Sequence, residues 1–127
     1  MIDLNKMFQS GDWKAEKHIP AIEILEKGDK VKIRVSVGKE IPHPNTTEHH
    51  IEWIEIYFMQ EGAKFPYLLG RFTFNAHGAS TEGPNTSGVF TEPDITFSFK
   101  VKGNGTLIAN SYCNIHGLWK SEEELKI

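Results

Sequence analysis

The chain has 127 residues, of which 39% are hydrophobic and 24% are charged, and its formal net charge at pH 7 is −3. These values are typical of a soluble globular protein, and we expect a single domain over residues 1–127. The weak negative charge and the scattered Lys and Arg residues argue against a nucleic-acid partner. No apolar run approaches the roughly 18 residues that would span a bilayer, which argues against a membrane protein.

The beginning of the chain and its cysteine content bear on the compartment. Residues 1–8 lack the basic patch and the apolar core of a secretory signal, so we expect a cytoplasmic location. The one cysteine, Cys113, can form no internal disulfide and is free for chemistry or for burial.

The first half of the chain predicts one short helix followed by strands. Leu4, Met7 and Phe8 can form the apolar stripe of a short, peripheral N-terminal helix. Residues 31–37 alternate between apolar and polar side chains, which predicts a half-buried strand. Further β-rich segments are residues 18–25, 51–59 and 67–74, and they are separated by Gly-containing turns.

The second half continues this pattern after a long polar loop over residues 75–87. Residues 95–101 alternate like a strand, and Asn104 with Gly105 predicts a tight hairpin to a partner strand over residues 106–113. Ser121 and Glu124 have the spacing of a capping box, which predicts a short peripheral helix at the C-terminus. About seven short strands with turns at this spacing predict an all-β, antiparallel sandwich.

Four histidines and the cysteine lie next to the ends of predicted strands: His18, His43, His49, Cys113 and His116. A lone histidine is more often a surface or hydrogen-bonded residue than a ligand, but strand ends in a sandwich can converge at one edge. His50 and His77 lack this support and are interpreted as surface or supporting residues. Position alone leaves open whether His49 or His50 faces the site, because adjacent residues of an extended chain point in opposite directions.

This donor set favours iron over other metals. Structural zinc prefers four ligands, and four imidazoles with one thiolate exceed that number. A blue-copper site typically has a methionine after its cysteine, whereas the methionines here are Met1, Met7 and Met59. Four imidazoles and a thiolate around iron leave a sixth position open for a small oxygen species. Backbone amides of Ile115 and His116 are expected to donate to the sulfur of Cys113.

Three segments resemble the superoxide reductases, specifically the short single-iron type called neelaredoxin. They are residues 16–20 (EKHIP), 41–51 (IPHPNTTEHHI) and 111–119 (SYCNIHGLW). The resemblance implies an immunoglobulin-like β-sandwich and one iron ion per chain. It also implies the ligands His18, His43, His49 and His116, with Cys113 as the axial ligand.

The resemblance further implies the reaction and its partners. Superoxide would be reduced by one electron to hydrogen peroxide, with Lys17 attracting the anion and helping its protonation. Glu16 would bind the oxidised iron as a sixth ligand and help to displace the product. Longer relatives carry an additional four-cysteine iron domain that this chain lacks, so an external electron donor such as rubredoxin is expected, and the short members are often homotetramers.

Two other interpretations stay open from the sequence. A non-catalytic β-sandwich interaction module would bury Cys113 and carry incidental histidines. A pure electron-transfer metalloprotein would hold a metal without binding a substrate to it.

Overall fold

The structure is a computed structural model that describes residues 1–127, and it contains seven strands in two antiparallel sheets. The strands are β1 (Ala21–Glu26), β2 (Val31–Ser36), β3 (Ile51–Gln60), β4 (Tyr67–Thr73), β5 (Asp94–Phe99), β6 (Gly105–Cys113) and β7 (Gly117–Leu125). One sheet has the order β1-β2-β5 and the other the order β4-β3-β6-β7. The predicted all-β, immunoglobulin-like antiparallel sandwich is thereby confirmed.

The core lies between the two sheets and follows from the period-two alternation of the strands. In β2, Val31, Ile33 and Val35 are fully buried while the residues between them reach the surface. The inner face of β3 contributes Ile54 and Ile56, which are also fully buried. Each such side chain stabilises the fold by about 1.5–3 kcal/mol relative to exposure, so these strands define which face of each sheet points inward.

The predicted hairpin between β5 and β6 is wrong. β5 pairs with β2, and β6 pairs with β3 and β7, so the connection crosses from one sheet to the other. The Asn104 carbonyl instead accepts from the Glu61 amide, and its side chain accepts from the Ile127 amide. Gly105 allows β6 to approach β3 closely, because a Cβ there would lie 2.5 Å from the Phe58 ring.

The predicted terminal helices are also wrong. Residues 121–124 belong to β7, because pairing with β6 and the complete burial of Leu125 outweigh a local capping signal in a segment too short for a stable helix. At the N-terminus only a 3-10 turn forms, over Leu4–Lys6, and Leu4 is exposed. This turn is the structure's one helical element, and it is far too short to cross a membrane.

One end of the sandwich collects the chain segments that carry the candidate ligands. Ala21 of β1 pairs with Ser36 of β2, so the start of β1 and the end of β2 lie side by side. In the other sheet, Cys113 pairs with both Ile51 and Gly117, which aligns the start of β3, the end of β6 and the start of β7. Strand β1 begins at Ala21, later than predicted, because the chain forms a turn through His18 before Pro20.

We predict that Gly105→Ala destabilises the protein by about 1–3 kcal/mol, because the added methyl group collides with the Phe58 ring and the Met59 carbonyl of β3. Gly28→Ala is the matched control, since the nearest atom to its Cβ is 4.0 Å away. Urea denaturation of both variants measures the difference. Equal unfolding free energies for the two variants would contradict the close approach of β6 to β3.

Candidate metal centre

The predicted ligand side chains meet at this end of the sandwich. Ligand atoms of His18, His43, His49 and Cys113 all lie within 4.8 Å of one another. His116 lies beside this group, with its Nδ1 3.2 Å from His18 Nε2 and 3.8 Å from Cys113 Sγ. The structure therefore brings together five of the six residues that were predicted to bind iron, and the sixth, Glu16, contacts the outer side of His18.

Each of these residues is positioned by the end of a strand. His18 lies in the turn before β1, and His43 and His49 lie in the connection from β2 to β3. Cys113 is the last residue of β6, and His116 lies in the turn that leads into β7. Because the strands are held by ladders and core packing, the turns between them present the side chains on a rigid base.

The four imidazole rings follow one another around a closed circuit. Ring centroids are 4.7 Å apart for His18 and His43, 4.8 Å for His43 and His49, 5.0 Å for His49 and His116, and 4.7 Å for His116 and His18. Cys113 is completely buried, whereas His116 is exposed. The cluster thus has one side in the core and one side open to solvent.

The outer nitrogens of two rings are held by acceptors. His18 Nδ1 donates to Glu16 Oε1 at 2.7 Å, and His43 Nδ1 donates to the Pro44 carbonyl at 2.7 Å. These bonds place the lone pair on Nε2 of each ring, facing the cluster. Metal-binding histidines usually have this arrangement, with the second ring nitrogen bound to a carboxylate or a carbonyl.

Three of the cluster histidines, His18, His43 and His49, favour the neutral form. Burial lowers the pKa of His18 and of His49, and burial lowers the pKa of His43 to about 4. The hydrogen bond from His18 lowers the pKa of Glu16, which stays ionised. Although Glu16 opposes the effect of burial on His18, burial is stronger, so the pair consists of a neutral imidazole and a carboxylate at pH 7.

This arrangement fits a metal ion that accepts nitrogen and sulfur ligands. His49 Nε2 is buried without any hydrogen-bond partner, although buried polar atoms in proteins normally have one. A metal ion bound there would satisfy it, together with the inward nitrogens of the other rings. The His116 amide lies 3.4 Å from Cys113 Sγ and donates to it as predicted, whereas the Ile115 amide makes no such bond.

Glu16 and Lys17 flank the cluster in different ways. Glu16 accepts from both the ring and the backbone amide of His18, and its carboxylate is not one of the grouped ligand atoms. The half-buried Lys17 has no carboxylate partner, and its positive charge contributes to the lowered pKa values of His18, His43 and His49. The Lys17 charge therefore adds a small contribution to the effect of burial on these three rings.

The two remaining histidines lie outside the cluster. His50 and His77 stack on each other with centroids 3.5 Å apart and an interplanar angle of 3°. His50 Nδ1 is bound to the Thr46 carbonyl, and His77 Nδ1 to the side chain of Asn45. Of the adjacent pair left open by the sequence, His49 is the one whose ring joins the circuit.

Several supporting residues were missed from the sequence. Trp119 stacks on the His18 ring with centroids 4.5 Å apart, and its indole N–H donates to the His116 carbonyl. The Ser111 hydroxyl donates to the His18 carbonyl, and the Ser121 hydroxyl donates to the Pro20 carbonyl. Ser111 could have been found from the sequence, because it is a polar residue at a position of β6 where the alternation predicts a buried side chain.

Comparisons with known proteins agree with this site. The family model of desulfoferrodoxin matches residues 10–122. A superoxide reductase of Pyrococcus furiosus is 58% identical over 97% of this chain and 99% of its own length. The neelaredoxin of Megalodesulfovibrio gigas is 52% identical over 95% of each chain.

A solved structure gives the same result. The superoxide reductase (neelaredoxin) from Archaeoglobus fulgidus, in the reduced form, superposes with a TM-score of 0.93 at 61% identity. The match covers 96% of this chain and 100% of that chain. Both the resemblance inferred from the three motifs and the predicted enzyme class are confirmed. The chain therefore belongs to the desulfoferrodoxin family, and within it to the superoxide reductases of the neelaredoxin type.

Proposed function

We propose that this protein is a superoxide reductase that binds one iron ion through His18, His43, His49, His116 and Cys113. The observation that carries this proposal is the convergence of five nitrogen and sulfur donors from separate chain segments, one of them a buried nitrogen with no partner. We propose that residues 1–127 form a single iron-binding domain.

The proposed reaction is the one-electron reduction of superoxide with the uptake of two protons, which yields hydrogen peroxide. Bound iron would supply the electron and pass from the ferrous to the ferric state. Four neutral imidazoles and one thiolate would leave a ferrous site with a charge of about +1, which attracts an anion. The lowered pKa values of His18, His43 and His49 support this count, because these rings carry no proton charge at pH 7.

Lys17 and Glu16 complete the proposed site. Lys17 draws superoxide towards the open side of the cluster and holds a proton for the developing peroxide. Glu16 orients His18 through the 2.7 Å hydrogen bond, and we propose that it also serves as the sixth ligand of oxidised iron. That second role requires the carboxylate to leave His18 Nδ1, so the turn over residues 16–18 has to rearrange.

The proposed electron donor and assembly rest on the resemblance to the family and not on the fold. We propose an external electron donor of the rubredoxin type, a homotetrameric assembly and a cytoplasmic location. The protein would serve to remove superoxide, and each turnover would need one electron from the donor.

The reaction is tested with the purified, anaerobically reduced protein. We expect about one iron per chain and one hydrogen peroxide released for each superoxide consumed. A dismutase would release half as much peroxide, and a pure electron carrier would not consume superoxide at its metal. A colourless, metal-free protein would contradict the whole proposal.

Cys113→Ser is predicted to abolish the visible thiolate-to-metal charge-transfer band of the oxidised protein, because Cys113 is the only cysteine. Absorbance of the oxidised variant measures this loss, and metal analysis reports how much iron remains. A band that survives in the variant would exclude Cys113 as the ligand.

Lys17→Ala is predicted to slow the reaction with superoxide by roughly an order of magnitude at low salt and to weaken its dependence on ionic strength. Lys27→Ala removes the same charge just after β1 ends, away from the cluster, and serves as the matched control. Pulse radiolysis at several salt concentrations measures both rates. Equal effects of the two substitutions would assign the change to net charge alone.

The metal-free protein is predicted to lose stability as the pH falls from about 6.5 through 4. Above this range His43 is neutral in both the folded and the unfolded chain; within it the unfolded chain takes up a proton that the buried His43, with a pKa of about 4, does not. Urea denaturation at several pH values measures the effect. The slope should be smaller in His43→Gln, and an identical slope would show that other groups cause it.

A further inference from the structure

The Asn114 side chain forms hydrogen bonds on both sides of His49. Its Nδ2 donates to the Glu48 carbonyl at 2.9 Å, and its Oδ1 accepts from the His50 amide at 2.9 Å. Asn114 itself directly follows Cys113 and precedes His116 by two residues. One amide group therefore connects the turn that carries two of the proposed ligands to the peptide groups that flank a third.

This contact continues the ladder between β3 and β6 after β6 has ended. The last paired residues are Ile51 and Cys113, and the Asn114 amide still donates to the His50 carbonyl at 3.2 Å. Beyond this point the main chain turns away, and the His116 amide is directed to Cys113 Sγ. The side-chain amide of Asn114 then supplies the acceptor and the donor that a further strand residue would have supplied.

The hydrogen bonds of the His49 amide and carbonyl themselves come from its own loop. The His49 amide donates to Thr46 Oγ1, and the His49 carbonyl accepts from the Thr46 amide. Those bonds shape the loop, but they do not tie it to β6. The Asn114 side chain adds that tie to the backbone bond from the Asn114 amide to the His50 carbonyl, and it binds the two peptide groups next to a ring whose Nε2 is held by no hydrogen bond.

We propose that Asn114 is a positioning residue that sets the place of His49 relative to Cys113 and His116. The proposal rests on the ligand set proposed above. Because a carboxamide has both a donor and an acceptor in one plane, it can bind the Glu48 carbonyl and the His50 amide together. Loss of the side-chain amide leaves the backbone bond from the Asn114 amide to the His50 carbonyl in place but removes both bonds that flank His49, and His49 then binds a metal ion less effectively.

Cobalt(II) binding to the metal-free protein tests this proposal through a double-mutant cycle. The variants are Asn114→Ala, His49→Ala and the double variant. Asn110→Ala is the control, because it removes an asparagine side chain from β6 four residues before Asn114. Affinity is measured by titration, the visible cobalt bands report the ligand field, and urea denaturation of each metal-free variant confirms that it is folded.

We expect Asn114→Ala to weaken cobalt binding by about 10–100-fold and to change the visible bands. In the His49→Ala background the same substitution should change affinity by less than about threefold, because the ring it acts on is gone. Asn110→Ala should leave both affinity and spectrum unchanged. If Asn114→Ala does not fold, Asn114→Asp replaces it, since it keeps the acceptor for His50 and loses the donor for Glu48.

Two results would overturn the proposal. One is an unchanged affinity and spectrum in the folded Asn114 variant. The other is an equal loss of affinity in the wild-type and His49→Ala backgrounds, which would mean that Asn114 does not act through His49. Failure of the wild-type protein to bind cobalt at all is a different outcome, because it would refute the proposed ligand set itself.

Discussion

The antiparallel pairing of β3, β6 and β7 is the constraint on which the candidate metal centre depends. Since Cys113 pairs with Ile51 on one side and with Gly117 on the other, three chain segments change direction at the same level of the sheet. A shift of one residue in either ladder would turn Cys113 from the buried face to the opposite one. The register is held by the fully buried side chains of these strands, among them Ile56 and Leu107.

Desolvation and hydrogen bonding then determine the chemistry of the cluster. Burial keeps His18, His43 and His49 neutral, and acceptors outside the cluster hold the second nitrogen of His18 and of His43. Glu16 and Lys17 add opposite charges next to the same ring, and Glu16 accepts hydrogen bonds from His18 while Lys17 has no carboxylate partner.

The sequence was sufficient to predict most strands, and together with the family resemblance it named the five residues that the structure brings into the cluster, but it did not show how the strands pair. Strand β2 is evident from its alternation alone, because a half-buried strand requires it. The Asn104-Gly105 signal describes a local turn and carries no information about the partner strand, which is decided by core packing across two sheets. The glutamates of β7 were predicted to start a helix for a similar reason. The capping-box motif describes only local spacing, and Leu125, whose burial stabilises the strand, lies outside that motif.

The supporting groups around the cluster were harder to predict than the ligands. The Pro44 carbonyl that holds His43 is a backbone atom, and any residue would provide it. Asn114 is visible in the sequence only as a polar residue in a turn, and its role depends on two peptide groups more than sixty residues earlier in the chain. The assignment of ligands therefore stays a prediction that metal binding has to test.

The outer edge of β7 has a consequence for self-association. Glu122, Glu123 and Glu124 follow one another on this exposed edge strand. Nearer the start of β7, the Gln9 backbone forms hydrogen bonds with the Leu118 carbonyl and the Lys120 amide, so these backbone groups are already paired. Like charges and a covered backbone both oppose the addition of a strand from another molecule. Sheet extension and aggregation are thus disfavoured at β7, and copies of the chain that assemble have to meet through other surfaces.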